Sequence, residues 1–143
     1  MKTKVSSKIL LSLGLMLMLG SAITQVHGGY PQDPPLPIIS IHSTGDVTRG
    51  KTGSFVLSMD PIVFGGMYVN FSVSGTAIPG VDYVPLVSPA HIGQSGYGAI
   101  LVQTLPDPRA SFPRQSYSVV VTIEPGAGYG VGQPSSAQMM IKP

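Results

Sequence analysis

The sequence predicts an all-β protein: a single antiparallel β-sandwich of about seven strands, preceded by an N-terminal signal helix. Three observations carry this expectation. Glycine (18) and proline (14) are abundant in a chain of 143 residues, and both interrupt helices. No segment sustains a 3.6-residue apolar period. Short runs of alternating apolar and polar residues recur instead, with turn formers between them.

The N-terminus has the pattern of a segment that the mature chain would not keep. Lys2, Lys4 and Lys8 precede an apolar stretch, Ile9 to Leu19, which is too short to span a bilayer comfortably. Gly20-Ser21-Ala22 places small residues where a signal peptidase needs them, and Val26-His27-Gly28 offers a second position. Residues 1–22 are expected to be a cleaved export signal, with cleavage as late as residue 28. Residues 23–37 are expected to be a Pro-rich extended lead-in, and residues 38–143 the sandwich.

Within that last segment, Leu36 to His42 is a first apolar stretch entered through Pro34, Pro35 and Pro37, which suits an edge strand. Phe55-Val56-Leu57-Ser58-Met59 continues the pattern. Met67 to Val73 alternates cleanly, which places Met67, Val69, Phe71 and Val73 on one buried face. Ala99 to Leu105 is a further run. Tyr117, Val119, Val121 and Ile123 form another inward row, and Ala137, Met139 and Ile141 close the chain. Six or seven such strands in about 105 residues fit an Ig-like arrangement.

Charge excludes one class of partner. The formal net charge is +2, but it depends on the three signal lysines. Cleavage after Ala22 leaves Arg49, Lys51, Arg109, Arg114 and Lys142 against six acids. A near-neutral domain without a basic, aromatic-laced patch is not expected to bind nucleic acid. The chain has no cysteine, so disulfides, which many small exported domains use, are not available. Neither is a lipid-modified cysteine, and the mature chain has no second apolar stretch, so no integral membrane anchor is expected in it.

Catalytic patterns are thin. His27, His42 and His91 are scattered, with no zinc-type spacing. Ile92-Gly93-Gln94-Ser95-Gly96 resembles a nucleophile elbow only loosely. The ladder Gly126, Gly128, Gly130, Gly132 precedes a strand and reads as a turn rather than a phosphate loop. Glu124 is the sole glutamate, which leaves a paired-carboxylate hydrolase poorly supplied. A non-enzyme is expected. Asn70-Phe71-Ser72 is a glycosylation sequon with an outward asparagine.

Three stretches, in order, carry a family resemblance. Val73-Ser74-Gly75-Thr76-Ala77 leads into Gly80-Val81-Asp82-Tyr83, Leu101 to Asp107 forms a strand ending in an acid, and Gly128 to Ala137 makes the turn before the last strand. Together they resemble the Calx-beta domain, an Ig-like module of sodium/calcium exchangers and bacterial surface proteins. The resemblance implies calcium, which needs six to eight oxygen ligands. Calcium-binding members carry a Glu-Gly pair after the first strand; the matching pair here is Arg49-Gly50. Asp82 matches the signature aspartate. The family's acidic pair corresponds to Asp107-Pro108-Arg109, with Phe112-Pro113-Arg114-Gln115 downstream. Asp82 and Asp107 are thus the residual calcium candidates, with Asp46 near the same end. Three arginines opposing them predict a degenerate site, in which Asp82 caps its own turn and Asp107 pairs with an arginine.

The chain is therefore expected to be an exported, non-enzymatic bacterial module, extracellular or periplasmic, with a structural, adhesive or protein-interaction role at the cell surface or in the medium. A protein partner or self-association is expected. The alternatives are a calcium-binding module and, through strand addition by the extended lead-in, a subunit of an extracellular filament.

Overall fold

The computed structural model describes residues 33–106 and 114–143. The expected signal segment, residues 23–32 of the lead-in and Asp107 lie outside the described residues. Pro35–Pro143 forms one unit, and among its described residues every regular element is a strand. These are β1 (Ile38–Ser43), β2 (Val47–Thr48), β3 (Thr52–Asp60), β4 (Met67–Val69), β5 (Phe71–Ser74), β6 (Ala90–Ile92), β7 (Tyr97–Gln103), β8 (Tyr117–Ile123), β9 (Gly130–Val131) and β10 (Ser136–Lys142). One four-stranded sheet has the order β7-β3-β1-β9, a second has β2-β10-β8-β5, and β4 pairs with β6.

Period-two patterning dictates which residues face inward. In β8, Val119, Val121 and Ile123 are buried, while the residues between them are half-buried. Their neighbours across the ladder, Met139 opposite Val119 and Ala137 opposite Val121, point the same way. Ile39, Ile41, Phe55, Leu57 and Met59 supply the facing side from β1 and β3, and residues of both four-stranded sheets share one apolar cluster. Burying each such side chain contributes about 1.5–3 kcal/mol, and in this cysteine-free chain that cluster is the main source of cohesion.

Among the described residues the architecture has ten strands where about seven were expected, and β1 lies between β3 and β9 rather than at an edge. It departs from the expected antiparallel pattern in two further ways. First, two pairings are parallel: β1 with β9, and β2 with β10. The second of these pairings follows from a change of sheet just after β1. The Thr44 N–H and hydroxyl both donate to the Ser54 carbonyl (3.0 and 2.9 Å), Gly45 turns at φ 122°, and the chain continues as β2 beside β10. Second, the alternating run Met67 to Val73 keeps its inward parity but is two strands, not one. At Asn70 the backbone leaves β6 and joins β8. Side chains take up the freed groups there: Asn70 N–H donates to the Tyr129 hydroxyl (3.0 Å) and Phe71 N–H to the Ser88 hydroxyl (3.0 Å).

Short elements β2, β6 and β9 have two or three residues each, too few for a period to register in sequence. β9 lies inside the glycine ladder read as a turn. The β6–β7 connection is the stretch that loosely resembled a nucleophile elbow. It is a tight turn between strands of different sheets, closed by Gly93 N–H to the Tyr97 carbonyl (3.1 Å). Gly98 lets β6 cross closely over β7, since a Cβ there would sit 2.5 Å from the His91 carbonyl oxygen.

Candidate functional site

Two of the stretches that carried the family resemblance, the Gly75–Tyr83 loop and the chain after β7, meet around the start of β8, while Gly128 to Ala137 lies at its far end. The loop Gly75–Tyr83 is stitched to that strand. Thr76 N–H donates to the Ser118 hydroxyl (3.0 Å), Ser118 N–H donates back to the Thr76 hydroxyl (2.8 Å), and Ala77 N–H reaches the Ser118 carbonyl (2.9 Å). Such an approach leaves no space at Gly75, whose φ is 114° and where a Cβ would lie 2.3 Å from the Ser118 carbonyl oxygen. The glycine is therefore required twice over, for its backbone angle and for its lack of a side chain.

Asp82 closes this loop from within. Its Oδ2 accepts the Ile78 N–H at 2.7 Å, a local side-chain-to-backbone bond of the kind that makes aspartate a turn former. This is the role expected from the sequence. Its Oδ1 accepts from Nη2 of Arg49 at 2.7 Å. The pair is sequestered, with side chains 8% (Arg49) and 0% (Asp82) exposed.

Arg49 reaches this position from the turn between β2 and β3, held by its own N–H on the Lys142 carbonyl (2.9 Å). Nη1 donates to the Leu105 carbonyl at 3.2 Å, and Leu105 N–H returns to the Asp82 carbonyl at 2.9 Å. The guanidinium carbon lies 5.7 Å from the centre of the Tyr117 ring, within cation–π range. One guanidinium thus joins four separate segments: the β2–β3 turn, the Gly75–Tyr83 loop, the chain after β7, and β8. Next to it, burial and the charge of Asp82 push the Tyr83 hydroxyl above the usual phenol range.

Other described candidate residues lie apart from this cluster. Asp46 is at the surface, where Oδ1 accepts the Met140 N–H (3.0 Å) and Oδ2 pairs with Lys142 Nζ (2.8 Å). Its carboxyl is held below the usual 3.8 by that lysine first and by the Met140 N–H second. Asp107 and Arg109 lie outside the described residues, and so does His27. His42 is exposed on β1, and His91 packs against the Tyr68 ring at 4.9 Å. Glu124 accepts from the Ser72 hydroxyl (2.6 Å). Asn70 of the sequon is exposed.

A calcium ion would need six to eight oxygens at 2.3–2.6 Å. Among the described residues no three histidines, cysteines or acids come together as a metal-binding group. Asp82, the calcium candidate among the described residues, has one oxygen on a backbone N–H and the other on a guanidinium. The described residues here do not fit the divalent cation that the resemblance implied; they fit a planar cation with directed N–H donors.

Sequence reasoning singled out Arg49 and Asp82 but missed Tyr117, the Leu105 carbonyl and, at the far end of β8, Tyr129. The Tyr129 hydroxyl donates to the Glu124 carbonyl (2.6 Å) while accepting from Asn70. An aromatic residue set inside a glycine-rich turn, where side chains are scarce, was its one sequence signal. Comparison with known proteins adds no identity: no protein-family model matches the chain, and no curated protein matches it.

Proposed function

We propose that this chain is an exported, non-enzymatic Calx-beta-like module, its two four-stranded sheets forming an Ig-like sandwich. Its role is structural or adhesive, through protein binding at a cell surface or in the surrounding medium. The observation that carries this reading is the Arg49–Asp82 contact. In the positions where the resemblance places calcium ligands, a buried cation supplied by the chain itself meets the carboxylate. The module is then a scaffold whose shape does not follow divalent-ion concentration. Thermal melts and calorimetry of the secreted chain, with millimolar calcium and with a chelator, test it. The midpoint is expected to stay fixed; a rise of several degrees with calcium would return the module to the calcium-binding class.

One observation favours self-association as the form of binding. β7 is an edge strand, and on its open side Tyr97 and Gln103 have carbonyls that accept from Gly93 (3.1 Å) and Val84 (2.9 Å). By the alternation of an antiparallel strand, Ala99 and Leu101 turn their N–H and C=O groups to the same side, beside a cleft lined by Phe71, Leu86, Val87 and Ile100. An extended strand from another copy would find donors and acceptors there. Ala99→Pro removes one outward N–H without touching the β3 ladder. Size-exclusion chromatography of the full chain should show association that this variant abolishes; a monomer at every concentration removes the filament reading.

A further inference from the structure

The resemblance implied a divalent-cation site, and the geometry disagrees with it in a way that specifies a different ligand. We infer that the pole formed by Asp82, the Leu105 carbonyl and the Tyr117 ring is a receptor for a guanidinium group, which Arg49 fills from within the chain. This deepens the proposed calcium-independent module, and rests on it, by naming the ligand chemistry of its pole.

Three features of the pocket are selective. Among the described residues, two acceptors lie where a fork of donors can reach both: Asp82 Oδ1 at 2.7 Å from Nη2 and the Leu105 carbonyl at 3.2 Å from Nη1. A spherical ion gathers oxygens all round itself, whereas a guanidinium presents its N–H groups in a plane at fixed angles. The third wall is an aromatic ring, Tyr117, 5.7 Å from the guanidinium carbon. A ring favours a flat, weakly hydrated cation and offers calcium no ligand oxygen on its face. Finally, Asp82 Oδ2 is held by the Ile78 N–H at 2.7 Å, so the carboxylate is not free to turn both oxygens onto a metal. An ammonium is a poorer match than a guanidinium, since it lacks the fork and is more strongly hydrated.

The test empties the receptor and offers it cations of different shape. Arg49→Ala in the full chain removes the atoms that ethylguanidinium would replace, with Asp82 and Tyr117 left in place. Ethylguanidinium at low millimolar concentration, far below denaturing levels, is expected to raise the Tm of Arg49→Ala saturably. At about ten times its Kd the rise should be about 5 °C. Wild type, its receptor filled, should not respond, and propylammonium or calcium should give Arg49→Ala no comparable rise. A rise with calcium equal to that with ethylguanidinium, or no rise with ethylguanidinium, overturns the inference. Should Arg49→Ala not fold, Arg49→Lys decides: it keeps the charge but not the fork, and must melt well below wild type. A Tm equal to wild type would mean that the pole reads charge alone. Calcium dependence of the wild-type chain is a separate measurement, so failure here and failure of the calcium-independent reading are distinguishable.

Discussion

The two ends of β8 solve one problem with opposite chemistry. At both, a single buried side chain ties the end of the strand to segments from elsewhere in the chain. At the Tyr117 end the agent is charged: Arg49 spans from the β2–β3 turn to Asp82 and the Leu105 carbonyl. At the Ile123 end it is neutral: the Tyr129 hydroxyl lies between the Glu124 carbonyl and the Asn70 N–H, where the chain changes partner between β4 and β5. The difference teaches what each end can tolerate. A neutral hydroxyl carries a modest cost when lost, because a water can approach the groups it leaves. A buried ion pair is costly to break, because the remaining charge has been removed from water.

The largest expected effect comes from that asymmetry. Arg49→Met should destabilise the chain by about 3–5 kcal/mol, a fall in Tm of about 15 °C for a domain of this size. Adding Asp82→Asn to it should recover a large part of the loss, because the amide can still accept from Ile78 N–H and carries no charge. A double-mutant cycle by denaturant melts measures this coupling, and strict additivity would show that the two side chains do not act as a pair.

Tyr129→Phe comes next. It removes both bonds of the hydroxyl at the neutral end and should cost about 1–3 kcal/mol. If it equals Arg49→Met in effect, the contrast between the ends is wrong. Amide exchange should quicken first at Asn70 and Glu124, where the chain passes from β6 to β8.

The smallest effect belongs to the exposed pair Asp46–Lys142. The Asp46 carboxyl has a lowered folded-state pKa, so its contribution is present above the unfolded value and is lost as pH falls through the lowered one. Asp46→Asn should therefore melt slightly below wild type at neutral pH. The gap should close as pH falls below 3.8, and shrink in high salt. A gap that widens in acid would invert the sign argued here.

Much of the fold was legible because it rests on local patterning. The inward rows Val69, Phe71 and Val119, Val121, Ile123 are set by period two alone, and the structure keeps their parity even where Asn70 splits the run. Asp82 was readable as a turn former for the same reason, since its bond to Ile78 spans four residues. The parallel pairs β1–β9 and β2–β10 were not readable. Each joins residues about 90 apart through strands of two residues, and nothing local marks such a meeting. Tyr129 was hidden similarly: its partner at Asn70 is 59 residues away.

The sequence by itself determined the alternation, the turns and the scarcity of acids, because these depend on neighbours a few residues apart. It also set the opposition of Arg49 to Asp82 as a charge difference from the calcium-binding pattern. Only the tertiary structure decided that the two meet. Their contact spans 33 residues and depends on the Gly75–Tyr83 loop folding against β8 while the β2–β3 turn delivers Arg49 from the other side. Burial then gives that contact its weight, since the same pair in water would contribute little.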